Sequence, residues 1–391
     1  MRSYTVKAIL AVLAASALIA CSACQNAGSS NSTPAQDSVA SSAGESASAS
    51  DNTNTETDES SEEEQSSEDA KNTSSDPTDE KEQGDIPALK DDDGKDVGGF
   101  YNDSGILIYN RTAYEMFYGN ESLAKDYADA MSKIKNALGD SVKVYNVLVP
   151  THCGITLPER FYDEYGISNQ KEYIDTIISN YTADIIGVNT FDTIAHHRDE
   201  YLYFNTDHHW TGLGAYYAYK DFCKAAGVDY LKLSDLEEGT IDGYYGSLSY
   251  YIDESLVDPD TVHYYTMDAD TVTTLYNENA SDPQSTRLFH TYAEGSNAYG
   301  VFLGGDNALM VCKNHDGNGK KIAVVKESYG NAFCPFIALT YSETHMMDFR
   351  YLEFDFVQYL KDHEIDEVIF INNAMASATG PRVDELNALI S

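Results

Sequence analysis

Three observations predict an α/β domain with a mostly parallel sheet for residues 97–391. Short, apolar, β-branched runs recur along the chain, as strands covered on both faces require. Segments with helical periodicity, the first of them polar at its start and stopped by a glycine, alternate with those runs in the order of βα repeats. A serine-bearing turn and a pair of asparagines follow two of the runs, at the carboxyl ends where open α/β sheets place their ligands.

Taken in chain order, Asn120 to Leu138 places Leu123, Tyr127, Met131, Ile134 and Leu138 at helical spacing, opening on a polar residue and stopping at Gly139. Val142 to Val149 (VKVYNVLV) reads as a buried strand ended by Pro150. Gln170 to Tyr181 repeats the helix, and Ala183 to Val188 (ADIIGV) repeats the strand. Tyr201 to Lys224 starts as an extended aromatic stretch, crosses Asp207-His208-His209-Trp210, and enters a helix with Thr211 as its N-cap. Between about residues 234 and 320 the pattern changes to Tyr- and Thr-rich runs broken by Asp-Gly, Asp-Pro, Gly-Gly and Asn-Gly. That pattern predicts a β-rich insertion of hairpins and long loops. Lys320 to Lys326 (KKIAVVK) returns to a core strand, and Glu327 to Asn331 turns. Ala332 to Tyr341 reads as a helix with Pro335 in its first turn. Tyr351 to Lys361 is a further helix, and Glu367 to Ile371 (EVIFI) is the last core strand, followed by Asn372 and Asn373.

The first residues read as an export leader rather than as part of the fold. Arg2 and Lys7 precede an apolar run, Ala8 to Ala20, that is too short to span a bilayer. Leu18-Ile19-Ala20-Cys21 resembles the lipobox of bacterial lipoproteins, which implies acylation of Cys21 and an extracytoplasmic chain anchored to the cell membrane. Residues 22–96 are mostly Ser, Asn, Thr, Asp and Glu, which bury too little apolar surface to offset ordering, so they are expected to form a disordered acidic tether. The formal net charge of −39 disfavours nucleic acid as a partner. Cys153, Cys223, Cys312 and Cys334 form no close pair that would suggest a zinc ribbon or a redox motif, and both disulfides and buried thiols suit an exported domain.

Serine is a poor nucleophile unless a base lies within hydrogen-bond reach and a carboxylate fixes that base's tautomer. Asp207 and His209, one residue apart on a bent loop, can be the carboxylate and base, and Ser328 at its strand-to-helix turn can be the nucleophile. His208 is expected to hydrogen-bond beside the site, and Trp210 either walls it or packs beneath the loop. Arg350 either contacts substrate or pairs with an acid such as Asp348. Adjacent histidines rarely share one ion and the zinc spacing HExxH is absent, so neither a metal nor another cofactor is expected. Tyr244, Tyr245, Tyr250 and Tyr251 suit stacking on sugar rings and equally suit strand propensity.

The stretch TDHHWTGLGAYYAY resembles the hallmark of the DHHW protein family, and KESYGNAFCPF followed by MDFRY resembles that family's second signature block. The family is related to the SGNH-hydrolase-like domains of the alginate O-acetyltransferase proteins, and the resemblance runs from about Gly99 to Ser391. It implies a three-layer SGNH-hydrolase-like fold with Ser328, His209 and Asp207 as catalytic residues. It also implies a circularly permuted motif order, because Asp207 and His209 precede the serine. The resemblance points to Asn372 or Asn373 for the oxyanion hole beside the Ser328 N–H, with Asn331 next in line. Glu327 stands where many relatives carry Asp, and no Gly-Asp-Ser signature occurs. The implied activity is serine acyl transfer, as an O-acetyltransferase or acetylesterase acting on an extracellular polysaccharide or cell-wall glycan. An acyl donor or a membrane acyl-delivery protein would be its partner. The competing expectation is a non-catalytic glycan-binding or scaffold lipoprotein that uses the same cleft.

Overall fold

The computed structural model describes residues 81–89, 97–101 and 104–391. Cys21, its leader and most of the acidic tether lie outside the described residues. Within the segment assigned to the tether, Glu82 accepts from Lys220 and Lys224 at 2.8 Å each, and Lys81 reaches Asp199 and Glu200 at 2.6 Å.

The strands, in chain order, begin with β1 (Val97–Tyr101), β2 (Ile106–Tyr109) and β3 (Thr112–Glu115), which form a small antiparallel sheet. They continue with β4 (Lys143–Val149), β5 (Ile186–Asn189), β6 (Glu237–Tyr244), β7 (Asp260–Thr266), β8 (Thr271–Tyr276) and β9 (Gln284–Thr286). The last four are β10 (Leu309–Asn314), β11 (Lys321–Lys326), β12 (Glu343–Asp348) and β13 (Glu367–Asn373). Eight of these make the central sheet, in the order β5-β4-β13-β11-β12-β10-β8-β9. Its first five strands run parallel and its last three are added antiparallel.

Alternation along β4 assigns the two faces of this sheet. Val144 and Leu148 enter one core with Tyr127, Met131 and Ile134 of helix α1 (Glu121–Leu138) and with Ile174 and Ile177 of α2 (Gln170–Ser179). Tyr145, Val147 and Val149 enter the other, with Tyr216, Tyr219 and Phe222 of α3 (Gly212–Ala226) and Phe333, Phe336 and Ile337 of α4 (Gly330–Thr340). The sheet therefore sits between two helical layers, and each buried Phe, Ile or Val stabilises it by roughly 1.5–3 kcal/mol relative to exposure. Asn120 caps α1 through its side chain, accepting from the Leu123 N–H at 3.1 Å, a contact worth about 1 kcal/mol.

Three elements differ from the sequence reading. Half of the insertion belongs to the main sheet: β8, β9 and β10 continue it beyond β12, while only β6 and β7 form a separate hairpin. The apolar run Leu309 to Cys312 is buried, and that burial draws β10 onto the β12 edge. Pro335 lies inside α4 rather than in its first turn, because the helix begins at Gly330, directly after the Glu327 to Tyr329 turn. The helix expected at Tyr351 begins only at Phe356 and is short, α5 (Phe356–Asp362), with Asp355 capping the Gln358 N–H at 2.9 Å. The four cysteines of the fold are free and buried. No helix among the described residues is long and apolar enough to cross a membrane.

Candidate active site

Asp207, His208 and His209 lie on the loop between Leu202 and Thr211, which is closed by a bridge between Tyr203 and Trp210 and by the Thr211 N–H donating to the Leu202 carbonyl at 2.9 Å. Asp260 of β7 holds the bend. Its carboxylate accepts from the N–H groups of Asn205 and Thr206, at 2.7 and 2.9 Å, and from the Thr206 hydroxyl. Thr211 then caps α3 by accepting from the Gly214 N–H at 3.3 Å. The loop is thus a hydrogen-bonded bend aimed at the start of a helix.

Ser328 reaches the same place from the carboxyl end of β11, on the turn that leads into α4. Asp207 Oδ1 lies 2.6 Å from His209 Nδ1, and His209 Nε2 lies 2.8 Å from Ser328 Oγ. A carboxylate can only accept, so Nδ1 carries the proton and Nε2 presents its lone pair to the serine hydroxyl. That arrangement can withdraw a proton from Ser328 while Asp207 stabilises the imidazolium that forms. Glu327 Oε2 offers the hydroxyl a second acceptor at 3.3 Å, but the His209 contact is shorter by half an ångström.

All of the acceptor capacity of Asp207 that faces protein is filled. Oδ1 also accepts from the His209 N–H at 2.8 Å, and Oδ2 accepts from the Tyr244 hydroxyl at 2.9 Å and the Ser247 N–H at 2.7 Å. Burial alone would raise this carboxyl's pKa. The facing His209 and His208 rings, with the hydrogen bonds from His209 and Ser247, outweigh burial and hold the carboxyl well below the usual carboxylate range. Gly246 is required for this approach, since a Cβ there would come within 2.3 Å of Asp207 Oδ2. The His209 ring is flanked by Tyr299, stacked at 4.0 Å and 12°, and by His208 at 3.8 Å. The Tyr299 hydroxyl continues to the Ser328 carbonyl at 3.1 Å.

Glu327 ties the serine turn to the neighbouring strand. Its Oε2 accepts from the Tyr329 N–H at 3.0 Å, and its Oε1 accepts from both the N–H and the side-chain amide of Asn373 at 3.1 Å. Asn373 Oδ1 in turn accepts from the Ala376 N–H at 2.9 Å, so both ends of that side chain are in use. Asn372 points to the other face of β13, where its Oδ1 accepts from the Tyr127 hydroxyl at 2.7 Å. Asn331 donates to Asp306 at 2.8 Å, and its own Oδ1 is buried without a partner among the described residues. The Ser328 N–H likewise meets no protein acceptor among the described residues, and it lies just before the positive end of α4.

The remaining candidates are structural neighbours of the site. His208 places Nδ1 2.6 Å from the Ser247 hydroxyl, and burial followed by the nearby His209 ring lowers its pKa to about 4. Trp210 is fully buried under the loop and donates to the Tyr329 carbonyl at 2.9 Å. Arg350 is bound to Asp306 at 2.6 Å and to Asp348, beside the buried Lys326, whose Nζ is 3.3 Å from Asp348. Asp207, His208 and His209 do bring donor atoms within 4.8 Å of one another, but both His209 nitrogens are already committed, one to Asp207 and one to Ser328. Tyr244, one of the tyrosines that suit sugar stacking by sequence, is instead buried with its hydroxyl on Asp207, and Ser247 and Tyr299, also from the insertion, had no signal in the sequence beyond the clustering of Tyr and Gly. Glu327 was visible only as a neighbour of the serine.

The sequence profile of the DHHW protein family matches residues 52–347. A DHHW family protein from Eubacterium siraeum, solved by crystallography, is 29% identical and superposes with a TM-score of 0.67 over 72% of this chain and 94% of that one. Bacillus cereus PatB1, solved with a sulfonyl adduct, is 17% identical with a TM-score of 0.59, covering 71% of this chain and 98% of its own; at that identity the likeness is one of fold. No protein of curated function matches the chain in sequence.

Proposed function

The chain belongs to the DHHW protein family, and from that premise and the site's geometry we propose that it is a serine acyl-transfer enzyme of the cell envelope. In this reading Ser328 attacks an ester carbonyl, His209 Nε2 takes the hydroxyl proton and returns it to the leaving alcohol, and Asp207 holds the imidazole in the productive tautomer. The acyl-serine then passes its acyl group to water, as an esterase, or to a sugar hydroxyl, as an O-acetyltransferase. The observation that carries the proposal is the continuous hydrogen-bonded chain from Asp207 through His209 to Ser328, with separations of 2.6 and 2.8 Å.

The Ser328 N–H, which meets no acceptor among the described residues and lies just before α4, is one donor for the oxyanion that develops on the acyl group. The second donor is an asparagine amide: Asn373 gives one N–H to Glu327 and Asn331 gives one to Asp306, which leaves each NH₂ a further hydrogen, whereas Asn372 meets Tyr127 on the other face of β13. The motif order, with Asp207 and His209 preceding Ser328, is that of a permuted SGNH-hydrolase-like domain. An extracellular glycan acceptor is supported by Tyr250, which is 62% exposed on the short helical turn that begins at Ser247, whose N–H holds Asp207. Residues 1–21 as a lipoprotein leader, Cys21 as the lipidated residue and residues 22–96 as a tether, held to the domain at Lys81 and Glu82, would place the domain outside the membrane, in reach of such a glycan.

Turnover of an aryl acetate by the protein and by Ser328→Ala tests the proposal. The wild type is expected to release the phenol and, with an oligosaccharide present, to acetylate it, while the variant does neither. Equal rates for the two proteins with every acceptor would overturn it. A sulfonyl fluoride, which captures activated hydroxyls, is expected to label the wild type at Ser328, in keeping with the sulfonyl adduct of PatB1.

A further inference from the structure

A second cluster of chemistry-bearing side chains lies at the opposite end of the sheet, where β12 begins. Glu343, His345 and His363 bring one carboxylate oxygen and two imidazole nitrogens within 4.8 Å of one another. Glu343 and His345 are two residues apart on β12 and so share a face, and His363 closes the last turn of α5. His345 is buried, with Nε2 2.9 Å from Glu343 Oε1 and Nδ1 2.8 Å from the Tyr359 hydroxyl. The Tyr359 ring also packs on His363, with centroids 4.2 Å apart. Lys313 stands 3.8 Å from the other oxygen, Glu343 Oε2, and Lys321 donates to the His363 carbonyl at 3.0 Å. The ring nitrogens of His363 hold no hydrogen bond among the described residues.

We propose that Glu343, His345 and His363 form a zinc site. Two imidazoles and one carboxylate suit Zn²⁺, whereas hard cations such as Ca²⁺ and Mg²⁺ select oxygen donors throughout. A ligating imidazole needs its far nitrogen held by a hydrogen bond, and Tyr359 provides that for His345 Nδ1. The carboxylate can only accept, so without metal His345 Nε2 carries the ring proton; when zinc takes Nε2 and Glu343 Oε1, that proton passes through solvent to Nδ1, which then donates to the Tyr359 oxygen, and one His363 ring nitrogen and a water complete the four ligands. The ion then clips α5 to the start of β12. In the Asp207, His208 and His209 set the His209 nitrogen that faces away from the carboxylate meets Ser328, the nucleophile of the proposed acyl transfer, where the far nitrogen of His345 meets Tyr359.

The test uses the full chain, stripped with a chelator and titrated with ZnCl₂ by calorimetry and with CoCl₂ by visible spectroscopy. One Zn²⁺ is expected to bind per chain and raise the melting temperature, and Co²⁺ is expected to give the intense visible bands of a four-coordinate site. His363→Ala, at a partly exposed position, is expected to weaken Zn²⁺ binding by more than about tenfold and abolish those bands, and Glu343→Gln is expected to do the same. Circular dichroism confirms that each variant is folded. His208→Ala is expected to retain both signals. A wild type that binds no Zn²⁺ at micromolar concentration, retention of the bands in both cluster variants, or their loss in His208→Ala would overturn the proposal.

Discussion

Replacing Asp207 by asparagine keeps the volume of the side chain and changes only what its two terminal atoms can do. Four donors converge on the carboxylate: His209 Nδ1 at 2.6 Å and the His209 N–H at 2.8 Å on Oδ1, and the Tyr244 hydroxyl at 2.9 Å and the Ser247 N–H at 2.7 Å on Oδ2. An asparagine NH₂ must face one pair or the other. Turned toward Oδ2's partners, it opposes the fixed Ser247 N–H. Turned toward His209, it obliges the ring to accept at Nδ1, which moves the proton to Nε2 and removes the lone pair that Ser328 needs. The wrong tautomer has cost about 10⁴ in kcat when the carboxylate of a serine protease triad was changed in the same way, equivalent to about 5.5 kcal/mol of barrier. An added stability loss of about 1–3 kcal/mol is expected from the unsatisfied buried donor. The assay is kcat and KM for an aryl acetate, with Ser328→Ala as the floor and a urea titration to confirm folding. An Asp207→Asn enzyme within tenfold of wild-type kcat would refute the argument that this carboxylate sets the tautomer of His209.

Other consequences are open to simpler measurements. Glu115, at the end of β3, has its carboxyl pushed up to about 7 by burial and by the Asp207 charge, partly offset by His209. Because that folded-state value lies above the ordinary 4.5, the stability it contributes is present below about pH 4.5 and is lost as pH rises toward 7. Glu115→Gln is therefore expected to exceed wild type by about 1–3 kcal/mol at pH 8 and to match it at pH 4, and parallel urea midpoints across that range would contradict this. Tyr244→Phe removes one of four donors to Asp207, and a loss of about 1–2 kcal/mol in stability with roughly tenfold in kcat at unchanged KM is expected; unchanged kinetics would show that Ser247 and His209 suffice. Lys326→Met leaves Asp306 and Asp348 to share Arg350 in a buried site, so a loss of about 3–5 kcal/mol is expected by thermal unfolding. A change under about 1 kcal/mol would show that Arg350 alone balances both acids.

Local signals carried most of the fold. Asn120, Thr211 and Gly139 marked helix ends that the structure places within a residue or two of the expected positions, because caps act through backbone groups next to them in the chain. The parallel strands β4, β11 and β13 were readable because burial on both faces leaves no polar alternation. β12 was not, since its sequence ETHMMD begins on Glu, Thr and His, which are buried or half-buried only because β10 and β11 flank them and Tyr359 meets His345. The insertion looked separate because its turns are conspicuous, yet Leu309 to Cys312 pairs with residues more than thirty positions away, a relation that no local window contains.

The candidate site shows the same division. Asp207 and His209 are two residues apart and Ser328 sits on a recognisable strand-to-helix turn, so those three could be named from the sequence. Tyr244, Ser247 and Tyr299 complete the surroundings of Asp207 and His209 from a segment whose distance along the chain is set by loop length rather than by chemistry. Asn372 and Asn373 were readable by position at a strand end. Which partners their amides serve depended on Tyr127 and Glu327, whose contacts with them emerge only when α1, β11 and β13 pack together.

The most direct test of the central claim is mass spectrometry of the peptide containing Ser328 after the full chain is mixed with an activated acetyl ester and quenched in acid. The account predicts one acetyl group on Ser328 in the wild type, none in Ser328→Ala, and a greatly slowed appearance in Asp207→Asn. Turnover of the ester with no acetyl group ever trapped on Ser328, or acetylation at the same rate in the Asp207→Asn protein, would contradict it.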